Sequence, residues 1–308
     1  MANPPKTPDS SQIVFWSRNR ATFEVEKVYG DSALRWAYQT RLGRKLTDWI
    51  FSRAWVSQLY GAYQSSTLSR AKIEPFIEAF NIPMNEFEPG PFRTFNDFFI
   101  RRFQSGARKF VQSPSEMAAF AEARYLAFES ITPEQKFPVK GKFLSAQALL
   151  GGTPWASHFA GGPLLLARLC PTDYHRFHFP DSGKILDSFR IHGKLHSVNP
   201  VALQAVDEVF AQNERQVSIL ETKNFGLLAY IEVGALCVGK IVQSHSPQKS
   251  QFERGDEKGY FLFGGSTVIV LGEPGKWKPS VDLLENTRQS REVLVQLGEP
   301  VASSTSLS

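Results

Sequence analysis

Two stretches of the chain hold residues whose types and spacing could do chemistry. In FLFGGSTVIVL (261–271), Ser266 follows Gly264 and Gly265 and leads into an aliphatic run; in PTDYHRFHFP (171–180), His175 and His178 stand three residues apart. The plain reading of the first is a turn that feeds a core strand. A serine hydroxyl can also add to the carbonyl carbon of the residue before it, exchanging amide for ester. Elimination and hydrolysis then break the chain and leave a pyruvoyl group on the new amino terminus. A glycine before the serine removes the Cβ that would crowd this attack. A pyruvoyl carbonyl forms a Schiff base with an amine and withdraws electrons from its α-carbon, the service pyridoxal phosphate performs elsewhere. Decarboxylation of an amino-acid group is its natural use.

Competing chemistries fit less well. A nucleophile elbow needs Gly-x-Ser-x-Gly on a strand-to-helix turn, whereas Val268 stands in place of the second glycine and a strand-like run follows. The pairs His175/His178 and His192/His196 lack the HExxH form, no cysteine accompanies them, and Gly193 argues against a helix for the second pair, so no metal is expected. The glycine pairs at 151–152 and 161–162 lack the spacing of a dinucleotide loop. A neutral imidazole beside Ser266 would take its proton. Strand alternation from Tyr174 to His178 puts the two histidines on opposite faces, so both reach Ser266 only if the chain bends there.

The elements that must position these residues divide in two. Residues 31–63 read as helix, with Leu42, Leu46, Trp49, Ile50 and Trp55 on one stripe and Arg35, Arg41, Arg44, Lys45 and Arg53 around them. Such a helix either packs on its own core or lies in a lipid interface. Two further helices are predicted at 68–82 and 92–103. From Arg124 onward short β-type runs dominate, interrupted by one helix at 199–213, where Asn199 caps and Pro200 fits the first turn. The reading is an α+β protein: a helical N-terminal module (1–110) on a β-rich, self-processing catalytic domain (111–308).

Charge follows the same division. Residues 1–110 hold 16 Lys and Arg against 10 Asp and Glu, and the remainder 19 against 20, so the positive excess lies in the module. No basic run carries interleaved aromatics of the kind nucleic-acid binders use, which leaves an anionic membrane surface as the expected partner. Two distant cysteines, Cys170 and Cys237, exclude a disulfide framework. No apolar run approaches the roughly 18 residues of a membrane span, and no leader opens the chain, so a peripheral protein on the cytoplasmic face of a bacterial-type cell membrane is expected.

FGGSTVIVL resembles the processing site of the phosphatidylserine decarboxylases of the Gly-Gly-Ser-Thr type, and the resemblance runs in family order through VEKVYGD, FNDFFIRRF, KGKFLSAQALLGG, PTDYHRFHFP, NERQV, IEVGALCVGKI and KGYFLFGG. It covers about residues 13–272. The resemblance implies decarboxylation of phosphatidylserine to phosphatidylethanolamine through a pyruvoyl group made at Ser266. It implies cleavage between Gly265 and Ser266 into chains 1–265 and 266–308 that stay together. It also implies that His178 activates Ser266 for cleavage and that His175 serves decarboxylation. Where the family has Pro-Ala-Asp-Gly, with an aspartate orienting the histidine, this chain has Phe120, Ala121, Glu122 and Ala123. Glu122 keeps the carboxylate on a longer arm, and Ala123 replaces a glycine that could take positive φ. That departure leaves open a processing-defective homologue that binds anionic lipid; a pyruvoyl decarboxylase of a free aromatic amino acid is the other alternative. A homo-oligomer is compatible with either.

Overall fold

The computed structural model describes residues 13–51, 54–131, 144–206, 208–235, 240–246, 250–264 and 266–306. Gly265, Arg53 and Cys237 lie outside the described residues.

The predicted β-runs assemble mainly into one ten-stranded sheet, in the spatial order Gln251–Phe252, Gly183–Ile191, Arg215–Thr222, Gly226–Val233, Ser266–Gly272, Leu164–Leu169, Ala123–Phe128, Glu292–Val295, Val14–Ser17, Thr22–Val25. All neighbours are antiparallel except Val14–Ser17 and Glu292–Val295, which run parallel. The middle strands are buried on both faces, so Leu164–Leu169 and Ser266–Gly272 read as continuous apolar runs, not alternating ones. Gly183–Ile191, near one edge, alternates half-buried and exposed positions. Two three-stranded sheets complete the body: Ile241–Gln243, Glu257–Phe261 and Arg176–His178 form one, and Trp277–Pro279, Pro300–Ser304 and Glu116–Ala118 the other.

The fold is therefore α+β, with four departures in detail. Residues 14–25 form a hairpin that joins the main sheet, so the first 110 residues are not helical throughout. Its partner, Glu292–Val295, lies at the other end of the chain, where no local pattern announces it. The helix expected over 31–63 is broken into Asp31–Gln39, Arg41–Leu46, a π-helical turn at Thr47–Phe51, and Ala54–Gln64. Thr40 makes the first break: its backbone is extended and its side chain accepts from Gly43 N, starting a new helix. Gly43 is required there, because a Cβ would lie 2.1 Å from the Trp36 carbonyl oxygen. The helix at 199–213 likewise splits into Pro200–Ala205, capped by Asn199 as expected, and Val209–Gln212. Of the segment 92–103 only Phe95–Phe99 is helical, opened by a reciprocal Thr94/Asp97 cap. Among the described residues no helix is long and apolar enough to cross a membrane.

Among the described residues three cores hold these parts, the smallest joining Ala37 and Tyr38 to Val201 and Ala202. The largest lies about the central strands. A smaller, aromatic one joins Phe76, Phe95, Phe98 and Phe99 of the helical region to Tyr174 and Phe263 of the body. This aromatic core places the helices against the two stretches that carry the candidate chemistry.

Candidate active site

Ser266 begins the central strand, opposite Leu169, and is fully buried. Among the described residues its Oγ has no hydrogen-bond partner, an expensive state for a buried hydroxyl that calls for an explanation. The chain reaches it through Gly264, whose φ of 144° lies in the region open to glycine. Phe263, just before, is wedged among Tyr29, Tyr60, Phe95 and Phe99, with ring centroids 4.9–5.9 Å away.

His175 immediately precedes the short strand Arg176–His178 and does not belong to it. The ring is fully buried and packs against Phe99 with centroids 3.8 Å apart. Nδ1 lies 2.9 Å from the Asp173 carbonyl oxygen. A carbonyl accepts only, so Nδ1 carries the hydrogen and Nε2 keeps its lone pair. Burial pushes the ring's pKa down to about 3, against smaller opposing effects of the Asp173 and Gly264 backbones. The imidazole is thus neutral. Among the described residues Nε2 has no hydrogen-bond partner of good geometry, while the Gly264 backbone is near enough to the ring to favour its charged form slightly.

His178 occupies a different setting. Its Nδ1 is 2.9 Å from the Gly255 carbonyl and its Nε2 is 3.3 Å from the Tyr174 hydroxyl, so both nitrogens are engaged. Burial lowers its pKa as well. Glu122, expected beside His178, is not its partner. Its carboxylate forms a fork with Arg108, at 2.5 and 2.7 Å, and accepts from Leu297 N. A bidentate guanidinium is the stronger partner for a carboxylate on the longer arm. The link to His178 is indirect: Arg108 stacks over Phe103, Phe103 packs on Tyr174, and Tyr174 meets His178. Residues 120–123 also hold the histidine's backbone, since His178 N donates to the Phe120 carbonyl at 2.8 Å. Ala123 sits in a strand without positive φ, so its replacement of glycine costs no strain.

A buried charge network fixes the loop that carries His175. Arg168 forks onto Glu26 and onto Glu292, and Arg124 reaches Glu26 and Asp173. Asp173 also accepts from Cys170 N at 2.7 Å, closing the turn whose carbonyl holds His175. Burial alone would raise the Glu26 carboxyl; Arg168, then Arg124, outweigh it and hold it at about 2. Asp173 lies inside the histidine stretch and was legible as a neighbour. Glu26 and Arg168 are 142 positions apart and were not.

A cavity of about 350 Å³ opens beside this network, lined among others by Tyr29, Trp36, Tyr60, Cys170, Phe263 and Gly264. It joins the helical region to the residue preceding Gly265, and its lining is mostly apolar with a few polar groups, the usual make-up of a ligand site. His192 and His196 take no part: the first is exposed and the second fully buried.

A family model described as phosphatidylserine decarboxylase matches residues 95–303 of the chain. A Clostridium novyi protein named phosphatidylserine decarboxylase proenzyme is 38% identical over 293 residues, covering 94% of this chain and 99% of its own. Proteins of the same name from Desulfitobacterium hafniense and Clostridium tetani are 40% and 39% identical over 291 residues, each with 94% of this chain and 97% of its own covered.

Proposed function

The chain belongs to the phosphatidylserine decarboxylase family, and from that premise we propose that it converts phosphatidylserine to phosphatidylethanolamine with a pyruvoyl group made from its own Ser266. The relatives' names favour turnover of the phospholipid over a free aromatic amino acid, and over lipid binding without turnover. Their description as proenzymes supports scission between Gly265 and Ser266.

In this reading His175, not His178, serves as the base for scission. Ser266 Oγ attacks the carbonyl carbon of Gly265 as its proton passes to His175 Nε2; the C–N bond breaks and the nitrogen takes up a proton, leaving an ester. Loss of the Ser266 α-proton expels the Gly265 carboxylate. The resulting dehydroalanine, hydrolysed with loss of ammonia, leaves the pyruvoyl end. One observation supports the assignment: a buried Ser266 hydroxyl with no partner among the described residues, and a neutral His175 on whose ring the Gly264 backbone acts. The Asp173 carbonyl keeps the tautomer and the orientation. His178, with both nitrogens engaged, holds Tyr174 in place. The pyruvoyl group supplies an electron sink for the α-carbon of a bound amine. In this reading His175 Nε2, on the ring that packs against Phe99, takes a proton from the substrate ammonium and passes it to the α-carbon.

Phosphatidylserine would enter from an anionic bilayer along the cavity beneath Trp36. Large apolar side chains crowd the exposed face of the helices, with Trp49 at 73% and Leu68 at 77% exposure, and Arg41, Arg44 and Lys45 lie among them. Aromatic and cationic groups together suit a phospholipid interface, which supports peripheral attachment, placed by this reading on the cytoplasmic face. After scission, chains 1–265 and 266–308 stay joined by the ladders on both sides of the Ser266 strand.

Ser266→Ala tests the reading. Intact mass should show one uncut chain, a carbonyl-reactive probe should find no label, and no carbon dioxide should be released from phosphatidylserine vesicles. Carbon dioxide release by this variant would refute the pyruvoyl assignment.

A further inference from the structure

The FNDFF stretch contains a side chain that the chemistry above does not use. Asn96 is 4% exposed and sits on the Phe95–Phe99 helix between two parts of the molecule. Its Oδ1 accepts from Phe263 N at 2.8 Å, two residues before the scissile glycine. Its Nδ2 donates to Ser65 Oγ at 2.8 Å, just past the end of the Ala54–Gln64 helix, and approaches the Gly61 carbonyl at 3.5 Å. That helix also carries Tyr60, which packs on the Phe263 ring and lines the cavity.

We infer that Asn96 is a positioning residue for self-scission, tethering the backbone of the processing loop to the helical region. Gly264, with its wide-open φ, leaves the chain free to swing on the amino-terminal side of the scissile bond. The Phe263 ring is held by packing alone, which resists displacement but does not fix rotation about the backbone. The Asn96 bond supplies that fixed direction. The short helix that carries Asn96 also carries Phe99, the ring that packs on His175, so one five-residue element sets both the loop and the base. The tether further connects the loop to the helix whose outer face bears Trp55 and Leu59. The inference rests on scission at Gly265–Ser266.

Rates of scission measured by intact mass on freshly purified precursors test it. Asn96→Leu keeps the branched shape and removes both hydrogen bonds; scission should slow about a hundredfold, the scale of a 1 Å misplacement near reacting atoms. Asn96→Asp keeps the acceptor for Phe263 N, and Ser65 Oγ can turn to donate to it; scission should recover to within about tenfold of the natural chain. The same substitutions made in the Ser266→Ala background, which cannot cut, report folding through thermal unfolding. Slow scission in Asn96→Leu with recovery in Asn96→Asp, at similar unfolding temperatures in that background, upholds the tether. An Asn96→Leu chain that cuts at the natural rate overturns it. So do two variants equally slow and equally destabilised, because the residue would then be only structural. Scission of Ser266→Ala itself, independent of residue 96, would instead bring down the site reading and the tether with it.

Discussion

The helices of residues 31–72 and the sheet body use aromatic and large aliphatic residues in opposite ways. In the body they turn inward: Trp277, Phe120, Phe177 and Tyr230 are almost completely buried. On the helices Trp36, Leu42, Trp49, Trp55, Leu59 and Leu68 face outward. Exposed apolar side chains in such number on one region suit an interaction or membrane surface. On the function proposed, the contrast separates two tasks, attachment and bond chemistry, with the cavity and the aromatic core where the regions meet. Variants in one region should therefore leave the other's task intact.

The sharpest test is His175→Ala. Loss of the base should slow scission by about 10²–10⁴-fold, the range for general acid–base groups, while vesicle binding by the uncut chain stays unchanged. His178→Ala should slow it less; the reverse order would return the base role to His178, as the family resemblance implies.

Next in size is the outer face. Replacing Arg41, Arg44 and Lys45 by Gln should weaken sedimentation with anionic vesicles by about a hundredfold, at roughly 1 kcal/mol per cation, with scission unaffected. Salt should produce the same loss in the natural chain, since screening sets in over about 8–10 Å. Binding indifferent to both would return these helices to a purely internal role and erase the contrast.

A pH effect comes third. His175 takes its proton near pH 3 in the folded chain, against an ordinary 6.5, and the unfolded chain takes it up near that ordinary value. The folded state is therefore penalised as acid is added: the benefit of a neutral buried ring is complete above pH 6.5 and falls away as pH drops towards 3. In the Ser266→Ala background, His175→Phe should flatten that part of the unfolding-temperature profile. The smallest effect belongs to Glu122→Asp. The shorter arm gives up part of the fork with Arg108, so about 1 kcal/mol of stability should be lost and scission should slow only a few-fold. Faster scission would show that the carboxylate acts on His178 directly.

Much of this was legible in residue order. The aliphatic runs at 164–169 and 266–272 are strands because a doubly buried strand needs no polar alternation, and Asn199-Pro200 marks a helix start through its own chemistry. Ser266 and His175 declared themselves by type and spacing. Their arrangement did not. That His178 is occupied by Gly255, 77 positions away, as well as by nearby Tyr174, and Glu122 by Arg108, 14 positions away, depends on how the chain folds back, which no local period records. The hairpin at 14–25 was hidden for the same reason, and the unbroken helix over 31–63 failed at Thr40, whose side chain can cap as readily as it can continue a turn.

Ser266–Gly272 is the fifth of ten strands, bonded along both edges. A cut at its start turns a single polypeptide into a heterodimer in which the shorter member supplies the middle of its partner's sheet. Folding of the precursor is unimolecular, but reassembly after unfolding becomes bimolecular and concentration-dependent, with exposed edges on both fragments ready to aggregate. With the proposed scission, recovery from denaturation would depend on concentration and compete with aggregation, so the lifetime of the cut protein would be governed chiefly by its unfolding barrier.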